Sequence, residues 1–365
     1  MTNRQTKSEE LLRKIHETVD RPVRLMVVCG IHNRAILRHG IRELLPDFID
    51  LVAGPGCSVC VMPAGHVDAF VKVARQPDVI TATCEDLLRL PGSVDSLADV
   101  RQGGRRVEII SSPREALEIA YQEKEYTVVY PAVGFEATAP SIAETILEAA
   151  RNGVDNFCVI PSIRLLPPTI DALLLDQELN IQGLLCSDHL NTISDTEAYT
   201  NLAKKHNLSC LIAGFEKEDI LLAVLRMIQQ IRCGDSIADN SGAFAFSTEE
   251  DAEARRMVSE VFFATDTAWR GLGDIAESGF VIRDELSLYD ATKRFNIRFG
   301  EGQEQCLCHC NDIISGRALP PDCPAFGMAC TISNPVGPCM ISDEGICAAY
   351  FNYNMEHPKY ARMEG

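Results

Sequence analysis

The sequence has no surplus of positive charge: 34 Lys and Arg stand against 52 Asp and Glu, a formal charge of −18. Basic pairs such as Arg105-Arg106 and Lys204-Lys205 are scattered among acids, which excludes a protein that holds nucleic acid chiefly by neutralising its phosphates. No run approaches the roughly 20 apolar residues of a membrane helix, and the opening MTNRQTKSEELLRKIHE lacks the apolar core of a secretory signal. Neither nucleic acid nor membrane is therefore expected as a partner, and the cytoplasm is the expected location. A GxxxxGK[ST] loop is also missing, so the chain lacks the usual phosphate cradle of nucleotide hydrolysis.

Cysteine is abundant. Fifteen cysteines in 365 residues would suggest disulfides in a secreted protein, but in a reducing compartment they point to metal or redox chemistry. Seven of them (Cys306, Cys308, Cys310, Cys323, Cys330, Cys339 and Cys347) fall in the last sixty residues. Composition alone nominates the C-terminus as a metal site.

From Arg24 to about Gly214, short β-branched runs alternate with longer amphipathic stretches, the pattern of βα units building parallel sheet. Strands are expected at Leu25–Val28, Leu51–Ala53, Val79–Thr83, Val107–Ile110, Thr127–Tyr130, Phe157–Ile160, Gly183–Cys186 and Cys210–Ala213. Eight strands can close one barrel. The preferred reading is two Rossmann-like four-stranded sheets divided near Glu123–Glu125, where a charged stretch separates halves of similar length. The fold class is thus α/β: a domain over 1–123, a second over 124–235, and a loop-rich, partly helical C-terminal metal-binding domain over 236–365. That last region has few strand signals and needs something other than a large core to stabilise it, as a bound metal would.

Ligands of open α/β sheets sit beyond the carboxyl ends of the strands. Reading just past each expected strand gives Cys29-Gly30-Ile31-His32, Gly54-Pro55-Gly56-Cys57-Ser58-Val59-Cys60, Cys84-Glu85, Gly134-Phe135-Glu136, Asp188-His189 and Gly214-Phe215-Glu216. Sulfur, imidazole and carboxylate collect there. The Cys57/Cys60 pair follows two glycines and precedes a helix-like stretch, a setting that permits a reversible disulfide and a lowered thiol pKa. Cys29 with His32 suits a soft transition metal, against the bland reading of a packed strand-end cysteine and a hydrogen-bonded histidine. Glu136 and His189 are candidates of the same kind, each balanced by an ordinary capping role. In the tail, Cys310, Cys323, Cys330 and Cys347 can supply four thiolates to a [4Fe-4S] cluster. Zinc is the rival, since four-cysteine tetrahedral sites are common, and spacing leaves both open.

The motifs MVVCGIHNRAI, AGPGCSVCVMP, LRLPG, VGFEATAP, IAGFE, WRGLG and CNDIISG…CPAFGMAC…NPVGPCMISDEGICAAYF resemble the HypD family, maturation proteins that help build the Fe(CN)2CO group of [NiFe]-hydrogenases. The resemblance runs over almost the whole chain. It implies a [4Fe-4S] cluster on Cys310, Cys323, Cys330 and Cys347. It further implies an iron site at Cys29, His32 as the first histidine of that motif, and Cys57 and Cys60 as a redox thiol pair fed by the cluster. The partners it implies are a small HypC-like chaperone, a HypE-like cyanide donor and, indirectly, the hydrogenase large-subunit precursor. Departures from the family pattern cluster near this site: Ile31 for glycine, Asn33 for threonine, Arg34 for histidine, Ser58 for proline, and Ser187-Asp188-His189-Leu190 for a Pro-Gly-His-Val stretch. The alternative is a paralogue acting as an iron–sulfur thiol/disulfide oxidoreductase or in another metallocofactor pathway, which needs only the tail cluster and Cys57/Cys60.

Overall fold

A computed structural model describes residues 3–187, 196–234, 238–240, 249–300, 302–303 and 307–354. Its strands are β1 (Val23–Val27), β2 (Ile49–Ala53), β3 (Val79–Thr83), β4 (Arg106–Ile109), β5 (Thr127–Phe135), β6 (Phe157–Arg164), β7 (Gly183–Ser187), β8 (Ser209–Ala213), β9 (Ala238–Asn240), β10 (Phe262–Trp269) and β11 (Gly273–Ile282). All eight expected strands are present, and the class is α/β. β5 runs five residues and β6 four residues further than their β-branched cores suggest, because each continues past Pro131 or Pro161 while keeping the β5–β6 register from Val128↔Phe157 to Phe135↔Arg164.

The strands form two open sheets, not a barrel and not two consecutive fours. One sheet has the order β2-β1-β7-β8-β9, the other β10-β11-β6-β5-β3-β4. The chain accordingly divides into a first unit of Met1–Cys60, Thr169–Ser247 and Leu307–Gly365 and a second of Val61–Pro168 and Thr248–Cys306. These limits differ from those expected at 123/124 and 235/236. The charged stretch Glu123–Glu125 is a tight turn inside the second unit, where the Asn156 amide donates to the carbonyls of Ala120, Glu123 and Tyr126. The expected separate C-terminal domain is shared out. Its helix Glu249–Val261 and the β10–β11 hairpin complete the second unit, and residues 307–354 belong to the first.

In the first unit every strand pairing is parallel, with Leu25 opposite Leu51 on one side and Gly183 on the other. Leu25, Val27, Leu51, Leu185 and Leu211 join Ile220, Val224 and Met227 of the helix Lys217–Cys233 in one core. The tail is tied to this sheet by the Arg24 guanidinium donating to the Gly316 carbonyl at 3.1 Å and by an Arg317–Asp176 ion pair at 2.8 Å.

In the second unit β3 to β6 are parallel and β11 joins β6 antiparallel, with Gly279 opposite Arg164. Ile80, Ala82, Val128, Ala132, Val159 and Ile163 form the apolar face, packed on Ala139, Ile142 and Ile146. Alternate residues point to the opposite face, which there carries Thr81, Thr83, Ser162 and Arg164. Among the described residues no helix is long and apolar enough to cross a membrane.

Candidate functional site

Within the first sheet the chain passes from β1 to β2 on one side and later returns with β7 on the other, so the strand order reverses at β1. Such a reversal opens a crevice at the carboxyl ends of the strands, and Cys29 stands there. It is the residue that starts the helix Gly30–Arg38. Its thiol is buried, and burial raises its pKa above the ordinary thiol range. The His32 N–H, the Ser187 hydroxyl at the end of β7 and the Ile31 N–H all point at the sulfur and pull the other way, while the Glu344 charge adds to the rise. The arrangement provides three donors for a thiolate together with a low dielectric that penalises an uncompensated one. A cation bound to the sulfur resolves that conflict.

Two glycines bring the surrounding segments onto this cysteine. A Cβ on Gly56 would lie 2.5 Å from the Cys29 nitrogen, and one on Gly30 would lie 2.4 Å from the Glu344 carbonyl oxygen. The Gly30 N–H also donates to the Gly56 carbonyl at 2.9 Å. The CGIH loop, the GPGC loop and the tail turn therefore meet at backbone contact, which no side chain at either position would allow. Cys57 and Cys60 follow directly and are joined as a disulfide, with Cα atoms 5.2 Å apart. The Cys60 N–H donates to the Cys57 carbonyl, closing a single turn.

His32 is fully buried, with Nε2 3.0 Å from the Gly214 carbonyl and its ring 4.7 Å from that of Phe215. A carbonyl only accepts, so Nε2 carries the proton and anchors the helix to the end of β8. The departing residues have local roles. Asn33 donates to the carbonyls of Val27 and Cys29. Arg34 turns to the tail, 3.7 Å from Asp343 and hydrogen-bonded to Tyr353, so it faces the last helix, Ile346–Asn354, and not the thiol.

The tail gathers more thiols than the four-cysteine reading named. Cys310, Cys323, Cys330, Cys339 and Cys347 are all buried. Cys339 exchanges thiol hydrogen bonds with Cys310 and Cys347. The bond with Cys310 lowers its pKa, but the bond with Cys347, burial and the neighbouring sulfurs of Cys347 and Cys308 carry it well above the ordinary thiol range. Cys308 and Cys330 both act electrostatically on Cys347. A Cβ on Gly337 would come within 2.3 Å of the Cys308 sulfur, so glycine leaves that sulfur room. The Val336 N–H points to the Cys330 sulfur at 3.3 Å, while Cys323 lies 3.8 Å from the Leu307 carbonyl. Spacing overlooked Cys308 and Cys339 because the pattern was read as four ligands, and only the folded tail shows that six thiols share one region. Among the described residues no three Cys, His, Asp or Glu side chains converge as on a single metal ion. A multi-iron cluster does not require that convergence, since each thiolate binds a different corner. The buried, all-sulfur donor set fits such a group.

Glu136 belongs to the second unit, buried in the short turn after β5, where its Oε2 accepts the Leu166 N–H at 3.1 Å. Cys84 is in the same unit and exposed. His189 and Cys306 lie outside the described residues.

The second unit holds a buried histidine that sequence reading did not single out. His66, in the first turn of the helix Ala64–Ala74, stacks on Phe299 with ring centroids 3.9 Å apart. Arg164 Nη2 donates to its Nε2 at 3.1 Å, so Nδ1 carries the proton toward Ser162 Oγ at 3.3 Å. Burial first, then the Arg164 charge, holds His66 well below its ordinary 6.5. An unfolded chain takes up this proton as pH falls through about 6.5 and the folded chain does not, so the stabilisation is present above that pH and is lost below it. Urea midpoints measured from pH 8 to 5 are expected to fall below pH 6.5, and His66→Gln to flatten that limb. An unchanged slope in the variant would remove His66 as its cause.

Comparisons with known proteins agree over most of the chain. A family model described as HypD, hydrogenase formation hypA family, matches residues 6–354. The hydrogenase maturation factor HypD of Azotobacter vinelandii is 37% identical over 343 residues, spanning 92% of this chain and 90% of that protein. The factor of the same name from Cupriavidus necator is 35% identical over 336 residues, spanning 90% and 89%. That from Escherichia coli is 33% identical over 340 residues, spanning 93% and 91%.

Proposed function

Because the chain belongs to the HypD family, we propose that it acts in hydrogenase maturation as a scaffold and redox protein, holding iron that carries cyanide and carbon monoxide while the Fe(CN)2CO group is assembled. The observation that carries this reading is Cys29: a buried sulfur at the strand-order reversal, faced by three hydrogen-bond donors and fixed between two glycine contacts. In this proposal Cys29 is the thiolate that takes the iron cargo. The donors hold the sulfur in place, and the bound cation offsets the desolvation that otherwise keeps the proton on. His32 positions the helix through Gly214.

The tail thiols Cys310, Cys323, Cys330 and Cys347 would hold a [4Fe-4S] cluster, with Cys308 and Cys339 beside them, and such a group supplies single electrons. The Cys57–Cys60 disulfide takes up two electrons and two protons and opens to a dithiol beside the iron site. A small HypC-like chaperone would share the cargo, a HypE-like protein would deliver cyanide, and the large-subunit precursor would receive the product through them. The test is infrared spectroscopy of anaerobically purified full-length chain, with and without a co-expressed HypC-like protein. Carbon monoxide and cyanide bands are expected on the complex. A chain that restores maturation without ever carrying those bands would leave the thiol oxidoreductase reading instead.

The Cys57/Cys60 pair makes a separate prediction. Alkylation after mild reduction should trap two more thiols than after mild oxidation, and the unlabelled protein should differ by the mass of two protons and two electrons. Equal labelling in both states would make the pair structural.

A further inference from the structure

Arg164 ends β6 on the polar face of the second sheet, and only 2% of it is exposed. Burial draws its pKa down to about 9, which still leaves the guanidinium charged at neutral pH. One N–H of its Nη2 goes to His66. Its Nε is buried and has no hydrogen-bond partner among the described residues, and no carboxylate there forms an ion pair with it. Glu136, the buried acid at the end of the neighbouring strand, instead accepts the Leu166 N–H. His66 cannot serve as counter-charge. It is neutral, its tautomer is set by the Arg164 donor on Nε2, and its ring is clamped by Phe299. These contacts hold one edge of the guanidinium and leave the Nε edge unanswered. A buried charge without a partner is strongly unfavourable, and a planar fork of N–H donors matches a group presenting two oxygens.

We propose that Arg164 anchors an oxyanion-binding site within the second unit, taking a carboxylate or a phosphate group on its Nε edge, with His66, Ser162 and Phe299 as the frame that orients it. This site is independent of the maturation reading, since it uses none of the cysteines. It gives the second unit a small-molecule ligand of its own, or a docking point for an acidic end group of one.

The experiment uses the full-length chain, purified anaerobically in chloride buffer. Thermal unfolding is followed as sodium phosphate or sodium acetate is added, with sodium chloride at matched ionic strength as reference. The 15N-labelled arginine Nε–H signals are recorded in the same titrations. At least one of the two oxyanions should raise the unfolding temperature saturably above the chloride curve and shift a single arginine Nε–H signal with the same midpoint. Which anion does so identifies the group. Arg164→Met should unfold at or above the wild-type temperature without oxyanion, because it removes an unpaired buried charge, and it should lose both the increment and the shifting signal. Arg164→Lys, which lacks the fork, should weaken the midpoint at least tenfold. No saturable response to either anion in the wild type, or the same response in Arg164→Met, would overturn the proposal. So would an Arg164→Met chain markedly less stable than wild type without added oxyanion, because the charge would then already be compensated inside the fold.

Discussion

Replacing Cys29 with alanine should abolish maturation of a [NiFe]-hydrogenase in a strain lacking its own family member, and should remove the carbon monoxide and cyanide bands from the purified complex. The loss should exceed the ~10–100-fold typical of deleting an outer-shell partner, because among the described residues no second sulfur stands where the donors from Ile31, His32 and Ser187 converge. Ser187→Ala is the graded control: it removes one donor and keeps the sulfur, so it should reduce bound iron without eliminating it. Gly56→Ala approaches the null from another side, since its Cβ would lie 2.5 Å from the Cys29 nitrogen and must push the GPGC loop away. An active Cys29→Ala variant would overturn the role given to this cysteine, and the scaffold reading with it.

The second large effect concerns the tail. Alanine at Cys310, Cys323, Cys330 or Cys347 should strip most iron and sulfide from anaerobically purified protein. It should also render residues 307–354 protease-sensitive, because a loop-rich segment full of buried thiols has little else to fold around. The consequence should reach the iron site. The helix Ile346–Asn354 packs against the helix Gly30–Arg38, Arg34 bridges to Asp343, and the Glu344 backbone rests on Gly30, so a loosened tail releases the wall over Cys29. Cys308→Ala and Cys339→Ala, measured in parallel, show whether these two neighbouring thiols act as ligands or only pack. Zinc in place of iron, or full iron and sulfide retention in all variants, would exclude the cluster.

The Arg34 contacts also change what the departing loop means. A cation in place of the family histidine would, if it faced the pocket, favour an anion there. Instead, Arg34 is half-exposed on the helix face turned toward the tail, in an ion pair of the kind that contributes at most about 1 kcal/mol. The departures at Asn33 and Arg34 are thus absorbed by local hydrogen bonding and leave the Cys29 environment to Ile31, His32, Ser187 and Glu344.

Local chemistry determined the strands, the parallel α/β class and the cysteine loops at strand ends, since β-branched runs, amphipathic stretches and Gly-Pro-Gly turns act over a few residues. It also singled out Cys29, Cys57 and the tail thiols as the candidates for sulfur chemistry. Strand partnership was settled only by tertiary packing. Nothing in the run from Ala53 to Val79 marks that the chain leaves one sheet after Cys60 and rejoins it near Thr169, because a buried parallel strand is equally apolar beside any neighbour. The Glu344 contact on Gly30, the placing of Cys308 and Cys339 with the other tail thiols, and the His66–Arg164 pair each join residues about a hundred or more positions apart or separated by turns of irregular chain. Those juxtapositions depend on how the elements pack, and no periodicity along the sequence encodes them.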